Sequence, residues 1–163
     1  GLEALKERLR EAGFVLLGRE PMKLTLAAKA YGYPGTELAE LLRQKEMECE
    51  FADPDYLVLM VTPENTEEDL TRLQAALLAI PRKAPIEAPP AMPGRGEQVL
   101  PIRDAMLSPW EKIPVEASEG RILASPSVGC PPAVPIAVCG ERIGKDTVEC
   151  FRYYGIELVA VVK

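Results

Sequence analysis

The sequence predicts an α/β or α+β fold, in which a small helix-covered sheet domain is followed by a smaller mixed α+β C-terminal domain. Three observations support this prediction. Apolar residues at helical spacing alternate along the chain with short apolar runs typical of strands. A proline-rich stretch near the middle separates two such sets of elements. The 163 residues are 47% hydrophobic and 27% charged, which are values typical of a globular protein.

The first part of the chain predicts two helices and two strands. Leu2–Ala12 has apolar residues at helical spacing, which predicts an amphipathic helix. Phe14–Leu17 and Lys23–Ala27 are short apolar runs that predict strands. The turn-rich sequence YGYPG then leads to Thr36, whose side chain suits the N-cap of a helix over Glu37–Lys45.

The next part contains the strongest strand signal. Tyr56–Val61 reads YLVLMV, and an unbroken apolar run of this length predicts a strand covered on both faces. Cys49–Ala52 is a candidate edge strand beside it. Thr66 and Asp69 form a capping box, which predicts the start of a helix that ends at Ile80. Together these elements predict helices packed against one small sheet.

Composition predicts where the chain divides. Residues 81–97 are rich in proline and have neither a helical nor a strand period, so we expect a linker or an extended surface crossing. We therefore predict a first domain at residues 1–82, a proline-rich linker at 83–98 and a C-terminal domain at 99–163.

The C-terminal domain is predicted to mix strands and helix. Short strands are expected at Lys112–Val115, Arg121–Ala124, Val134–Val138 and Ile156–Val162. The third contains Pro135, which has no N–H to donate and so predicts an edge strand. A single helical turn is expected within Val115–Arg121. Asp146 or Thr147 is the expected N-cap of a helix that ends at Gly155.

Charge and histidine content exclude several classes of function. The net charge is −6, which argues against nucleic acid or an anionic membrane surface as the main partner. No apolar run approaches the ~20 residues needed to span a bilayer, and we expect a cytoplasmic protein. The chain has no histidine, which excludes Ser-His-Asp and Cys-His catalytic sites and imidazole metal sites.

The cysteines predict free thiols rather than a metal site. They lack CxxC spacing, and we favour free or buried thiols in a reducing cytosol, with a disulfide pair as the alternative. A reactive thiolate at Cys130 or Cys139 would need a positive neighbour, and Arg142 is the candidate nearby. The four cysteines are Cys49, Cys130, Cys139 and Cys150.

The stretch Val115–Ile143 is the most distinctive part of the sequence. It holds four prolines and three glycines, which predicts a shaped loop rather than a simple connection. Glu116, Glu119 and Glu141 flank this loop, where a carboxylate can serve as an acid, a base or a ligand for an amine. No catalytic constellation accompanies them, so no catalytic, cofactor-binding or metal-binding residue is predicted.

Two parts of this stretch resemble a known family. EASEGRILAS and CPPAVPIAVCGERI resemble the pattern EAxGRIxAE…PYPPGIPxxxPGExI in the C-terminal domain of the bacterial ornithine/lysine/arginine decarboxylases. The upstream sequence EPMKLTLAAKAYGYPGTEL resembles the small domain of the same enzymes. Cys130 and Cys139 stand where the family has tyrosine and proline, and Ala133 replaces a glycine. The residues that match or replace motif positions are Cys130, Pro131, Pro132, Pro135, Gly140 and Glu141.

The resemblance implies a part of a larger enzyme. The family uses pyridoxal phosphate on the aspartate-aminotransferase fold, and its cofactor lysine lies in a large N-terminal domain that this chain lacks. Residues 1–82 then correspond to the aminotransferase-type small domain, and 99–163 to the decarboxylase C-terminal domain. We expect the chain to bind no cofactor and to be inactive alone. Its expected partners are the missing domain and a second copy in a homodimer.

The same resemblance implies a role near the substrate entrance. In the parent enzyme, Glu116, Glu119 or Glu141 is expected to meet the distal amine or guanidinium of ornithine, lysine or arginine. Two other interpretations stay open. PVEASEGRILA is similar to a segment of the molybdopterin molybdotransferases, but the similarity ends after about a dozen residues. A non-catalytic interaction or regulatory module is the other alternative.

Overall fold

The computed structural model describes residues 1–89, 92–94, 96–126 and 135–163. The chain forms two compact units, Gly1–Ala88 and Pro89–Lys163. Each unit combines α-helix with antiparallel sheet, so the predicted α+β class is confirmed.

The first unit contains three α-helices and one four-stranded sheet. The helices are α1 (Leu2–Glu11), α2 (Gly35–Arg43) and α3 (Glu67–Leu78). The strands are β1 (Leu16–Leu17), β2 (Lys23–Ala27), β3 (Phe51–Ala52) and β4 (Tyr56–Met60). They pair antiparallel in the order β1-β2-β4-β3. The predicted edge strand at Cys49–Ala52 is thus confirmed over its last two residues.

The core of the first unit lies between the helices and one face of the sheet. Alternate residues of the two central strands are buried, and each helix adds leucines at helical spacing. The buried leucines are Leu24, Leu26, Leu57 and Leu59 from the sheet and Leu5, Leu9, Leu38, Leu42 and Leu77 from the helices.

Strand β4 differs from the prediction in one respect. Leu57 and Leu59 are buried, but Tyr56 and Val58 are half-buried and Met60 is 44% exposed. The prediction that both faces are covered is therefore wrong for this chain. The physical reason is that the buried residues of all three helices pack on the same side of the sheet.

One predicted helix cap of the first unit is correct and another is wrong. The Asp69 amide donates to the Thr66 hydroxyl at 3.2 Å, and the Thr66 amide donates to the Asp69 carboxylate at 2.8 Å, which is the predicted capping box. Thr36 is not an N-cap, because α2 already begins at Gly35 and the Thr36 amide donates to the Asp53 carbonyl at 3.2 Å.

Residues 81–88 form an extended segment, here called the strap. It runs beside the 3₁₀ turn Ala28–Tyr31. The Lys83 amide donates to the Tyr31 carbonyl at 3.2 Å, and the Ile86 amide donates to the Lys29 carbonyl at 3.0 Å. The Tyr33 hydroxyl donates to the Pro81 carbonyl at 2.7 Å. The strap is therefore a hydrogen-bonded part of the first unit.

Among the described residues, fewer lie in helices and strands in the second unit than in the first. Its helices are α4 (Ile102–Leu107) and α5 (Lys145–Tyr153). Its strands are β5 (Glu97–Gln98), β6 (Trp110–Pro114), β7 (Leu123–Ser125), β8 (Glu141–Arg142) and β9 (Leu158–Val162). They form a three-stranded sheet in the order β6-β9-β7 and a separate β5-β8 pair, both antiparallel.

The core of the second unit packs α5 against the three-stranded sheet. Phe151 of α5 is completely buried and lies among aliphatic residues of the sheet and of the segment before α5. The other buried members of this core are Val115, Leu123, Ala137, Ile143, Val148, Val159 and Val161.

Three of the four predicted strands of this unit are confirmed, with shifted bounds. The fourth, Val134–Val138, is wrong over residues 135–138, which form no strand, and Val134 lies outside the described residues. The expected helical turn is the 3₁₀ turn Val115–Ala117. Neither Asp146 nor Thr147 is an N-cap, because α5 is preceded by Gly144. The Asp146 carboxylate instead accepts from the Thr147 and Gly94 amides.

Candidate functional site

The structure describes five of the eight candidate site residues. They lie in two neighbouring segments of the second unit, the turn before β7 and the turn that enters β8. The described candidates are Glu116, Glu119, Pro135, Gly140 and Glu141. The remaining candidates, which lie outside the described residues, are Cys130, Pro131 and Pro132.

Gly140 is the residue that holds these segments together. Its φ is +86°, in the left-handed region, and a Cβ there would collide with the Leu100 carbonyl oxygen. Its amide donates to the Leu123 carbonyl at 2.8 Å, and its carbonyl accepts from the Val99 amide at 2.9 Å. Only glycine fits both the backbone conformation and this close approach.

Glu141 uses its side chain within its own turn. Its carboxylate accepts from the Val138 amide at 2.8 Å, while its own amide donates to the Val138 carbonyl at 3.2 Å. The side chain is half-buried, and Gly96 lies against its carboxyl group. This carboxylate therefore already accepts a hydrogen bond from its own turn, and a ligand would have to share or displace that bond.

The turn that carries Glu119 lies next to β8. The Gly120 amide donates to the Ile143 carbonyl at 2.8 Å, and the Arg142 guanidinium donates to the Gly120 carbonyl at 3.1 Å. Glu119 is exposed. The fold thus brings Glu119 and Glu141 onto adjoining segments, although they are more than twenty residues apart in sequence.

Glu116 faces α5 at the surface. Its carboxylate lies 3.4 Å from Nε of Arg152, and the two side chains are 64% and 53% exposed. An ion pair this exposed contributes little to stability, because water and salt screen it. Glu116 is therefore an accessible carboxylate that can exchange Arg152 for another cationic group at little cost in stability.

Arg142 and Cys139 do not form the thiolate pair that was considered from the sequence. Nε of Arg142 donates to the Glu97 carboxylate at 2.9 Å, across the β5-β8 pair. Cys139 is buried, and burial raises the pKa of its thiol. A protonated, buried thiol is a poor nucleophile.

The other described cysteines are similar to Cys139. Cys49 is also a free thiol, and in both Cys49 and Cys150 burial is the main cause that raises the pKa of the thiol. Cys130 lies outside the described residues. The described cysteines therefore agree with the expectation of free thiols.

Neither a metal centre nor a membrane span is found in the part of the chain that the structure describes. Within residues 1–89, 92–94, 96–126 and 135–163, no three His, Cys, Asp or Glu residues are grouped so that they could hold a metal ion. Across these same ranges, no helix has both the length and the apolar character that a bilayer crossing requires.

Sequence reasoning missed Gln98. Its side-chain amide donates to the Cys139 carbonyl at 3.0 Å and also to the Leu100 carbonyl. It thereby fixes the backbone on both sides of the close approach at Gly140. No local pattern signals this role, because the Cys139 carbonyl lies 41 residues away along the chain.

The bonding of the candidate residues indicates what kind of site they form. Among the described residues of this site, the carboxylates and two arginines bond to backbone groups and to each other. No nucleophile and base lie side by side in this described part of the site. The arrangement presents two exposed carboxylates, Glu116 and Glu119, and a third, Glu141, that is hydrogen-bonded within its own turn.

Comparison with known families indicates which domain carries this site. Residues 101–158 match the family described as the Orn/Lys/Arg decarboxylase, C-terminal domain. The match thus assigns residues 101–158 to a domain similar to the C-terminal domain of that family.

Curated relatives extend the similarity into the first unit. The arginine decarboxylase of Bacillus subtilis (strain 168) is 28% identical over 138 residues, which cover 79% of this chain and 28% of the relative. The arginine decarboxylase of Bacillus anthracis is 31% identical over 140 residues, 82% of this chain and 28% of the relative. The chain thus spans little more than a quarter of the length of these relatives.

Solved structures share the fold. The constitutive lysine decarboxylase of E. coli has a TM-score of 0.68 at 16% identity, covering 99% of this chain and 39% of that chain. A lysine decarboxylase of Francisella novicida has a TM-score of 0.61 at 14% identity, covering 88% of this chain and 31% of that chain. At such identities the likeness supports the fold and does not identify a substrate.

Proposed function

We propose that this chain is the C-terminal part of a pyridoxal-phosphate-dependent decarboxylase that acts on arginine, lysine or ornithine. In this proposal the chain shapes the substrate entrance and the dimer contacts, and it supplies no catalytic group. The observation that carries the proposal is the match of residues 101–158 to the decarboxylase C-terminal domain. The similarity to arginine decarboxylases over 79% and 82% of the chain supports it further.

Lys6 and Lys29 do not fit the requirements of pyridoxal phosphate. The cofactor needs a lysine free to form a Schiff base, together with groups that hold its phosphate and ring. Lys6 is 7% exposed, and its ammonium donates to the carbonyls of Glu20 and Pro21 at 3.2 and 3.1 Å. Lys29 lies 2.7 Å from the Asp55 carboxylate and also donates to the Ala88 carbonyl at 2.8 Å. We therefore place the cofactor in a large N-terminal domain of the parent enzyme.

The proposed role of the site is electrostatic. A basic amino acid carries a positive charge at its distal end, and an accessible carboxylate attracts it. Glu116 and Glu119 are exposed, whereas Glu141 already accepts a hydrogen bond from Val138. Of the three candidates, Glu116 and Glu119 are thus better able to meet a substrate amine or guanidinium.

The proposal also covers partners and location. The parent enzyme is proposed to be a cytoplasmic homodimer. The free thiols of Cys49 and Cys139 agree with a reducing compartment. The net charge of −6 supports a small cationic substrate rather than nucleic acid as the partner.

The first test concerns the source of the cofactor. Reading the full gene should reveal an upstream domain with a Ser-x-His-Lys motif, and the encoded protein should release CO₂ from at least one basic amino acid. A gene that starts near Leu2 would instead support a free-standing interaction module. Borohydride reduction of the 163-residue chain with equimolar pyridoxal phosphate should leave no lysine specifically modified, as judged by mass spectrometry against the denatured chain.

The second test concerns the carboxylates. Glu116→Gln, Glu119→Gln and Glu141→Gln are made singly in the full-length enzyme, since glutamine keeps the shape and removes the charge. We expect a lower kcat/KM, mainly through a higher KM, for Glu116→Gln or Glu119→Gln. Glu149→Gln, an exposed carboxylate on α5, is the matched control. Unchanged kcat/KM in all three variants would remove the amine-binding role but leave the decarboxylase assignment in place.

A further inference from the structure

A cavity of about 220 Å³ lies in the first unit, here called the α3 cavity. It is lined by residues 46–48 after α2, residues 59–61 at the end of β4, and residues between 65 and 73 in the first turns of α3. Since a water molecule takes about 30 Å³ of liquid volume, this space holds about seven non-hydrogen atoms. That is the size of a short-chain small molecule.

Several residues that line the α3 cavity are apolar. Leu59 is 4% exposed and belongs to the core of the first unit. Met47, Leu70 and Leu73 are half-buried and pack against that core. Apolar side chains favour a hydrocarbon chain over water, and methionine adapts its shape to what it contacts. The lining therefore suits an occupant with an alkyl body.

The lining also carries more negative than positive charge. Among its described residues are three carboxylates and one guanidinium, from Glu46, Glu48, Asp69 and Arg72. The side chains of Glu46 and Glu48 are 92% and 71% exposed, so a ligand can reach them from solvent. The Arg72 guanidinium already donates to the Lys45 carbonyl at 3.0 Å. The surplus of carboxylates disfavours an anion in the cavity and favours a cation.

The carboxylates of the cavity do not form a metal site. In the part of the chain that the structure describes, no three His, Cys, Asp or Glu residues are grouped so that they could hold a metal ion. Asp69 accepts a hydrogen bond from the Thr66 amide at 2.8 Å, and Glu48 accepts one from Nε of Arg43 at 3.2 Å. Carboxylates placed in this way suit a cation whose charges are separated along a chain.

Glu46 occupies a backbone position that glycine normally takes. Its φ is +59°, in the left-handed region. Its amide donates to the Arg43 carbonyl at 2.9 Å, and the Met47 amide donates to the Leu42 carbonyl at 3.1 Å, which closes the end of α2. Glycine is the usual residue at such a helix end, because it has no Cβ to crowd. Stability therefore favours glycine here, whereas a cation site needs the carboxylate.

We propose that the α3 cavity binds an alkyl chain that carries an amine at one end and a second amine or a guanidinium at the other. This is the chemistry of the products of lysine, ornithine and arginine decarboxylation, and the inference rests on the proposed function for that identity. The substrate amino acids also carry an α-carboxylate, which the carboxylates of the cavity repel. The cavity is therefore expected to select the product against the substrate.

Titration of the 163-residue chain with 1,5-diaminopentane, which is decarboxylated lysine, tests the proposal. The methyl NMR signals of Met47 and Met60 should shift, because both side chains line the cavity. Repulsion of the α-carboxylate should make lysine bind at least about tenfold more weakly than 1,5-diaminopentane. Equal affinity for lysine would overturn the proposal. So would the absence of any shift up to about 10 mM ligand, where even a weak complex forms.

Variants of Glu46 separate binding from folding. Glu46→Gly should raise the melting temperature, since glycine tolerates a positive φ, yet it should lower the affinity for 1,5-diaminopentane several-fold. Glu46→Gln removes the charge alone and should lower the affinity to a similar extent. Glu68→Gln, an exposed carboxylate of α3 outside the lining, is the matched control and should bind as the native chain does. Unchanged affinity in both Glu46 variants, or an equal loss in the control, would contradict the proposal.

The same titration and a decarboxylation assay are made on the full-length protein. The Met47 methyl signal reports the α3 cavity there, independently of binding elsewhere in the enzyme. Activity without a shift of this signal overturns this inference alone. A shift without activity on any basic amino acid supports the cavity as a diamine site and counts against the proposed function.

Discussion

The two units of this chain are stabilised in different ways. The first has a core of fifteen buried residues, most of them from a four-stranded sheet and three α-helices. The second has a core of eight among its described residues, and Gly140 lies in close backbone contact with the Leu100 carbonyl. Ser118, which is completely buried, adds a hydrogen bond from its hydroxyl to the Val115 carbonyl at 2.7 Å. The first unit thus has the larger described core, while close backbone contacts at glycine occur in both units, since Gly35 of the first unit packs against the Tyr56 carbonyl.

The largest expected effect is loss of packing in the first unit. Leu57 is completely buried in the central strand β4. Leu57→Ala should destabilise the unit by about 2–5 kcal/mol, because it removes buried methyl groups and leaves a cavity. Urea unfolding followed by hydrogen exchange, residue by residue, would locate the loss in residues 1–88. Leu78→Ala, at 41% exposure, is the control and should change stability by less than about 0.5 kcal/mol.

Gly140→Ala tests the backbone fit of the second unit. We expect a cost of about 2–4 kcal/mol, since a left-handed φ and a collision with the Leu100 carbonyl act together. Gly120→Ala is the control, because Gly120 has φ +79° but nothing within 4 Å of the added Cβ. It should cost about 1–2 kcal/mol, from the φ alone. Equal costs in urea unfolding would mean that close approach contributes nothing.

A smaller effect is expected at the cap of α3. Thr66→Ala should cost about 1 kcal/mol, because it removes the hydroxyl that accepts from the Asp69 amide. Thr71→Ala is the control within the same helix, where the hydroxyl only donates to the Glu67 carbonyl. Since alanine favours helix interiors, the control should be neutral or slightly stabilising. A cost for both variants alike would point to the loss of side-chain contacts in general.

The smallest effect concerns pH. The amide and hydroxyl of Thr66 lower the pKa of the Asp69 carboxyl, in that order of importance. A group with a lowered pKa stabilises the fold above its unfolded pKa, and the gain is lost as pH falls through its folded pKa. The protection of amides in the first turn of α3, relative to their intrinsic exchange rates at each pH, should therefore fall in acid. Asp69→Asn should remove this acid dependence, and an unchanged dependence would exclude Asp69 as its cause.

The sequence predicted the elements that depend on neighbouring residues. Lys23–Ala27 was predicted to the residue, because alternation along five residues is a local pattern. The Thr66–Asp69 box was predicted for the same reason. The prediction of Thr36 as an N-cap was wrong. The preceding residue, Gly35, packs against the Tyr56 carbonyl, which is a contact between segments twenty-one residues apart. Local chemistry alone does not encode such contacts.

The candidate site, like the fold, was predicted only in part from the sequence. Gly140 and Glu141 were recognised from a motif, but the reason for the glycine is the Leu100 carbonyl, forty residues upstream. The hydrogen bond of Glu141 to Val138 is local, yet the sequence suggested a free carboxylate. The Lys29–Asp55 ion pair, with side chains only 14% and 6% exposed, had no sequence signal. Buried pairs of this kind depend on how distant segments come together.

The strap also determines how the chain can be divided for experiments. A fragment that ended at Arg82 would lose the amides of Lys83 and Ile86, which bond to the carbonyls of Tyr31 and Lys29. It would also lose the Ala88 carbonyl, which accepts from the Lys29 ammonium. The buried ammonium would then be left with fewer acceptors, a costly state for a charge. Residues 1–88 are therefore the shortest fragment suited to measuring the stability of the first unit by itself.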